Sequence, residues 1–98
     1  MERPPGTHPN EAEARNIVLA ACAPEHPNAR LTDALGHLYP LAAGRSLFAV
    51  RVVRGVMEAG FRIERTQVPA GDHDTLGAVV SAVVAFALPG DDTTPIKG

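Results

Sequence analysis

Arginine is the residue whose placement in this chain is best suited to chemistry with a partner. Positions 45–65 hold five arginines and two glutamates, a local excess of three positive charges, whereas the whole chain has a formal net charge of −2. A planar guanidinium group donates two parallel hydrogen bonds to a guanine edge, a phosphate or a carboxylate. The placement predicts one basic face on an overall acidic molecule; the alternative is an arginine-rich face that contacts only solvent. The acidic total argues against the uniformly basic surface of a sequence-independent nucleic-acid binder.

Residue types that form metal sites and active sites are sparse. His73 stands between Asp72 and Asp74, but three consecutive side chains do not easily converge on one tetrahedral ion, which argues against a metal site. Cys22 lies close to the apolar positions of its segment and is expected to be a small buried side chain, not a nucleophile. No glycine-rich phosphate loop, serine elbow or paired-carboxylate arrangement is found in the sequence. We therefore expect a protein that is not an enzyme and has no cofactor or metal.

The chain is expected to be cytoplasmic and to cross no membrane. Cys22 is its only cysteine, so an internal disulfide is impossible and a reducing compartment is the simpler assumption. The amino-terminal stretch lacks the apolar core of a signal peptide. The longest apolar run, residues 78–88, is too short to span a bilayer as a helix.

Length and composition indicate one folded domain with an aliphatic core. The chain has 98 residues, of which 45% are hydrophobic and 20% charged, with three Phe, one Tyr and no Trp. These values are typical of a single soluble domain. Proline and polar residues are concentrated at both ends. We expect a flexible segment over residues 1–9, a single domain over residues 10–88 and a flexible tail over residues 89–98.

Two helices are predicted before the central one. Asn10 is a suitable N-cap for the first helix, which has two glutamates in the turn where the helix dipole favours negative charge. This helix is expected over about residues 11–23, because Pro24 ends it. Leucines then recur at helical spacing and predict a second helix over about residues 29–39, which Pro40 ends.

Residues 44–60 are predicted to form a central amphipathic helix. A step of about 100° per residue places a broad apolar face opposite a basic outer stripe. Gly60 is placed as a C-cap glycine should be. The predicted apolar face comprises Phe48, Ala49, Val50, Val52, Val53, Val56 and Met57. The outer stripe comprises Leu47, Arg51, Arg54 and Glu58, of which the last two lie one turn apart and can pair.

The chain after the central helix changes to an alternating pattern. Phe61 and Ile63 are expected to point inward from a strand over residues 61–68. Residues 78–88 are apolar on all sides, so periodicity cannot decide between a strand and a buried helix, and the valine content favours a returning strand. The expected fold class is α+β, mainly α, with three helices followed by a β-hairpin. The alternative is an all-α four-helix bundle.

The order of these elements is that of a minimal winged helix, and residues 49–71 resemble that family. The residues that carry the resemblance are an apolar pair at 56–57, a small residue and glycine at 59–60, and an alternating basic strand at 61–65. The resemblance covers about residues 11–88 as a layout. It implies a DNA-binding domain in which the central helix enters the major groove.

The resemblance also implies roles for individual side chains on double-stranded DNA. Candidates for reading base edges lie near the start and on the outer stripe of the central helix: Arg45, Ser46 and Arg51. Candidates for phosphate contacts are Arg54, Arg62 and Arg30. For each arginine the alternative is a surface residue whose aliphatic stem covers the core.

An element that is apolar on all sides must be covered on two sides, and the other predicted elements cover only one side of residues 78–88. A symmetric partner is the commonest remedy. We therefore predict a homodimer. The residues expected on its interface are Val79, Val83, Ala85 and Ala87.

Two functional hypotheses follow from the sequence. In the first, the chain is a small dimeric DNA-binding regulator of transcription with an arginine-bearing recognition helix. In the second, it is a non-catalytic protein-binding adaptor or accessory subunit, whose arginine stripe faces an acidic protein or whose residues 79–88 dock into a larger partner. The element order and arginine placement favour the first, and the acidic total favours the second.

Overall fold

The computed structural model describes residues 8–90, which form four α-helices and a small two-stranded antiparallel sheet. The predicted class, α+β and mainly α, is confirmed. A 3-10 turn over Arg65–Gln67 follows the first strand. The helices are α1 (Glu11–Cys22), α2 (Leu35–Leu38), α3 (Ala42–Glu58) and α4 (Leu76–Phe86), and the strands are β1 (Phe61–Arg62) and β2 (Leu88–Pro89).

The first helix begins where the sequence predicts, because a reciprocal cap fixes its start. The Asn10 side chain accepts a hydrogen bond from the backbone N–H of Glu13 at 2.8 Å, and the Glu13 carboxylate accepts one from the backbone N–H of Asn10 at 3.0 Å. This capping box satisfies two backbone donors of the first turn. Cys22 ends the helix fully buried, as predicted. Burial raises the pKa of its thiol.

The second helix is much shorter than predicted. Residues 30–33 form a turn instead, in which the Asp33 carboxylate accepts a hydrogen bond from the backbone N–H of Arg30 at 2.8 Å. Ala34 is extended and forms an antiparallel bridge with Thr75. This long-range pairing takes the backbone of Ala34 out of any helix, so only Leu35–Leu38 is helical.

The helix at the centre of the chain is present, and it begins at Ala42, two residues earlier than predicted. Gly60 follows it with a φ of +93°, the left-handed conformation that glycine adopts without strain. The predicted strand over residues 61–68 is wrong in its length, because only Phe61–Arg62 is a strand. Phe61 and Ile63 are nevertheless buried, as the alternation predicts.

Residues 76–86 form a helix, so the favoured prediction of a strand over residues 78–88 is wrong. The hydroxyl of Thr75 caps this helix by accepting a hydrogen bond from the backbone N–H of Ala78 at 3.1 Å. α4 packs against α1, and this burial outweighs the preference of valine for strands. The predicted β-hairpin is also wrong, because β1 pairs with β2 and α4 lies between them in the sequence.

Most of the residues predicted to face a second copy lie in the core of a single chain. Val79, Val83 and Ala87 are fully buried, and Ala85 is exposed. As a helix, α4 turns its apolar side chains toward α1 and the core formed with α3 and β1. The prediction that these residues lie on an uncovered face is therefore wrong for Val79, Val83 and Ala87.

The folded region extends slightly beyond the predicted limits of residues 10–88. Pro9 is fully buried, and the ring of His8 forms a hydrogen bond with the carbonyl of Ala87. Pro89 belongs to β2, and the N–H of Gly90 donates to the carbonyl of Gly60 at 2.9 Å. Residues 1–7 and 91–98, which make up most of the two predicted flexible ends, lie outside the described residues.

Among the helices within residues 8–90, none combines the length and the hydrophobicity that a membrane span requires.

Candidate protein-interaction surface

The guanidinium of Arg45 is bonded to backbone carbonyls of its own chain. Its Nε donates to Ala70 at 3.2 Å, and one terminal nitrogen donates to Tyr39 at 2.9 Å and to Pro40 at 3.1 Å. These bonds join the first turn of α3 to the end of α2 and to the loop before α4. The arrangement makes Arg45, a predicted base reader, part of the framework that holds α3 in place.

The second arginine of the predicted reading set, Arg51, belongs to an internal polar network. Its terminal nitrogen lies 2.6 Å from a carboxylate oxygen of Glu25, which also accepts a hydrogen bond from the Tyr39 hydroxyl at 3.0 Å. The same nitrogen donates to the carbonyl of Ala21 at 3.4 Å. We call Arg51, Glu25 and Tyr39 the Glu25 network. It ties the segment after α1 to the end of α2 and to the middle of α3.

Electrostatics within the Glu25 network favour the ionised carboxylate. The hydrogen bond from Arg51 is the main cause that lowers the pKa of Glu25, and the bond from Tyr39 acts in the same direction. Burial, followed by the bond to Glu25, raises the pKa of the Tyr39 hydroxyl. The bond with Glu25 raises the pKa of Arg51, so the arginine remains charged. All three shifts favour a charged pair with a neutral tyrosine.

The other predicted DNA contacts are exposed. Arg30, Arg54 and Arg62 lie on the surface, and within residues 8–90 their guanidinium groups form no hydrogen bond or ion pair. Ser46 is exposed as well. The ion pair that the spacing of Arg54 and Glu58 allows is not formed. Three of the six predicted contacts are thus arginines whose guanidinium groups are available to a partner.

An apolar strip on α3 points outward, which corrects the predicted orientation of its residues. Val50 is 44% exposed, Met57 is 62% exposed, and Val53 between them is half-buried. Their i, i+3, i+7 spacing places them on one face of the helix. Because α3 packs mainly on α1 and β1, it buries only Phe48, Ala49, Val52 and Val56. The predicted apolar face is therefore wider than the face that the core covers.

This strip and two charged residues line a shallow depression of about 430 Å³. We call its lining the α3 outer surface. Its members are Val50, Val53, Arg54, Met57 and Glu58. The neighbouring Leu47 is 51% exposed and extends the apolar area toward the start of α3. Arg54 and Glu58 both lie on one side of the strip, since they project about 60° and about 100°, respectively, around the helix from Met57.

Two further depressions lie beside α1. The groove between α1 and α3 has a volume of about 350 Å³ and shares Arg54 and Glu58 with the α3 outer surface. The helices approach closely there, since a Cβ on Gly55 would lie 3.1 Å from a methyl carbon of Ile17. A depression of about 580 Å³ beside α4 is lined by Glu11, Leu31, Gly77, Val80, Ser81 and Val84. Within residues 8–90, no group of His, Cys, Asp or Glu side chains is arranged to hold a metal ion.

The width of the apolar face of α3 is a signal in the sequence for the α3 outer surface. Viewed down the helix axis, the predicted apolar face spans more than half of the circumference of α3, with Phe48 at one edge of the arc and Val50 at the other. The buried face of a surface helix needs little more than 100°. The excess faces another part of the chain, another molecule or solvent. Only the packed structure shows that α1 and β1 leave it uncovered.

No known protein family, curated protein or solved structure matches this chain. Its function is therefore inferred from the geometry of residues 8–90.

Proposed function

We propose that this chain is a non-catalytic protein-binding protein, an adaptor or accessory subunit, that contacts its partner through the α3 outer surface. The observation that carries the proposal is the exposure of Val50 and Met57 on the same helical face, beside the Arg54 guanidinium, which has no partner within residues 8–90. Apolar side chains grouped on a surface mark interaction sites. Anchors at i, i+3 and i+7 are the pattern by which helices recognise grooves and other helices.

The arrangement of the arginines supports the same function. Arg45 and Arg51, two of the three candidates for reading bases, are bonded to their own chain. A guanidinium already engaged in this way would have to give up those bonds before it could contact a base edge. A cytoplasmic location is part of the proposal, in keeping with Cys22 as the only cysteine of the chain.

The proposal is tested by affinity capture with Met57→Asp and a matched control, Leu88→Asp. Both changes place a carboxylate at an exposed apolar position, since Met57 is 62% and Leu88 45% exposed, but only Met57 lies on the α3 outer surface. We expect Met57→Asp to reduce capture of the partner at least about tenfold, since it buries a charge in an apolar contact. We expect Leu88→Asp to behave like the unmodified chain. Equal capture by both variants would contradict the proposal.

A second candidate function is that of a small dimeric DNA-binding regulator of winged-helix type. The observation that favours it is that the guanidinium groups of Arg30, Arg54 and Arg62 have no partner in the described part of the chain. Unpaired arginines on a surface are suited to phosphate contacts.

Fluorescence anisotropy with a labelled duplex tests this second candidate. Phosphate binding predicts micromolar affinity at about 50 mM salt that falls by orders of magnitude at about 200 mM. The double variant Arg54→Ala/Arg62→Ala should then lose most of the affinity. The matched control is Arg15→Ala, which removes an arginine that is paired with Glu11 at 3.2 Å. Absence of binding at both salt concentrations would rule the DNA function out.

A further inference from the structure

The α3 outer surface carries one charge of each sign, and neither is neutralised by the described part of the chain. Arg54 and Glu58 both line the depression beside Val50, Val53 and Met57. Within residues 8–90, neither charged side chain forms a hydrogen bond or an ion pair. A partner that supplies an acid beside Arg54 and a base beside Glu58 would match both charges at the edge of the apolar strip.

We infer that the occupant of the α3 outer surface is a second copy of this chain, packed α3 against α3 in antiparallel orientation about a two-fold axis. A purely acidic partner would pair with Arg54 and repel Glu58, and a purely basic partner would do the reverse. A symmetric copy supplies both charges at once, because a two-fold axis makes every contact reciprocal. The inference rests on the proposed function, since it requires that this surface bind protein.

The spacing of the residues along α3 fits such a pair. With the two-fold axis at the level of Gly55, Val53 of each copy lies opposite Met57 of the other. Arg54 then lies about two residues, or roughly 3 Å, along the helix axis from the other copy's Glu58, an offset that an arginine side chain spans easily. Because this axis keeps each rim of the helix on its own side, both ion pairs form on the same side of the apolar strip.

This dimer differs from the one predicted from the sequence. That prediction used Val79, Val83 and Ala87, which are buried within one chain. A dimer through the α3 outer surface keeps these three residues in the core of each chain. It covers Val50 and Met57, which are exposed in the single chain. Leu47 extends the contact toward the start of the helix.

Charge-swap variants of the full chain, compared by sedimentation equilibrium, test the inference. Arg54→Glu makes the surface acidic only, and Glu58→Arg makes it basic only. Each variant alone should be mainly monomeric, with a dimer dissociation constant raised at least about tenfold, because like charges then face each other. Mixed together, the two variants should form a heterodimer. The double variant Arg54→Glu/Glu58→Arg should regain the homodimer.

Three results would overturn the inference: an unmodified chain that is monomeric at every concentration, single variants that dimerise as well as the unmodified chain, or a mixture that forms no heterodimer. Circular dichroism of each variant checks that α3 is intact, and both positions are exposed. If the unmodified chain is monomeric but Met57→Asp still abolishes capture of a different protein, the proposed function stands and this inference fails. If neither effect is seen, both fail.

Discussion

Arg51 and Arg54 stand three positions apart on α3, and their guanidinium groups have different surroundings. Arg51 contacts Glu25, which belongs to the segment after α1, whereas Arg54 has no hydrogen-bond or ion-pair partner within residues 8–90. The sequence placed both on the outer stripe and offered a nearby acidic partner, Glu58, only to Arg54. The difference depends on a contact between residues 26 positions apart, which no local pattern encodes.

Local patterns did predict the residues whose role depends on their immediate neighbours. Asn10 caps α1 because the glutamate that completes the capping box lies three positions later. Gly60 ends α3 because the chain there needs a positive φ. Arg45 was not predicted as a framework residue, because one of its carbonyl partners, Ala70, lies in a loop 25 positions away.

The Glu25 network predicts a pH dependence of stability with a definite sign. Because the pKa of Glu25 is lower in the folded chain than the ordinary value of 4.5, its ionisation stabilises the fold above that pH. This contribution is lost as the pH falls through the lowered pKa. We expect the unmodified chain to be more stable than Glu25→Gln at pH 7, and we expect the difference to shrink progressively below about pH 4.5.

Urea denaturation of both proteins at several pH values measures this difference. The control, measured at a protein concentration low enough for the chain to be monomeric, is Glu58→Gln, which changes an exposed glutamate that forms no hydrogen bond or ion pair within residues 8–90. A stability difference between the unmodified chain and Glu25→Gln that is constant with pH, or that grows in acid, would show that the network does not act as described.

At the scale of elements, α4 is the clearest departure from the sequence-based expectation. Its sequence is apolar on all sides, so it shows neither the period of two that indicates a strand nor the period of 3.6 that indicates a helix. Thr75, which caps the helix, was the available signal for a helical start. α2 shows the opposite limit, because its leucine spacing was helical but the bridge between Ala34 and Thr75 shortened it.

The helical form of α4 gives opposite predictions for two positions that a strand would place on one face. In α4, Val83 is buried against the core and Ala85 is exposed. Val83→Asp should therefore unfold the chain or destabilise it by more than about 3 kcal/mol, since it buries an unpaired charge. Ala85→Asp should change the free energy of unfolding by about 0.5 kcal/mol or less.

Thermal denaturation followed by circular dichroism distinguishes these outcomes. If both variants lost stability equally, α4 would not present Val83 and Ala85 to different environments. If Val83→Asp gave a stable, folded monomer, the side chain would belong to an interface between copies and not to the core of one chain.

At the scale of the whole molecule, surface arginines favour a DNA partner and exposed apolar residues favour a protein partner. The net charge of −2 and the local excess of arginine were readable from the sequence. Which arginines remain free, and which apolar residues remain uncovered, depend on how α1, α3 and β1 pack. Val50 and Met57 are exposed because no described element covers that side of α3. The exposed apolar area of the α3 outer surface therefore results from packing, although its residues lie within one predicted helix.

The comparison of Met57→Asp with Leu88→Asp tests the central claim, that the α3 outer surface binds protein, most directly. Each purified variant is first checked for unchanged helix content, and its binding to the unmodified chain and to captured partners is then measured. We expect Met57→Asp to lose at least about tenfold in binding, whereas Leu88→Asp should bind as the unmodified chain does. Equal binding by both variants, or a loss confined to Leu88→Asp, would contradict the claim.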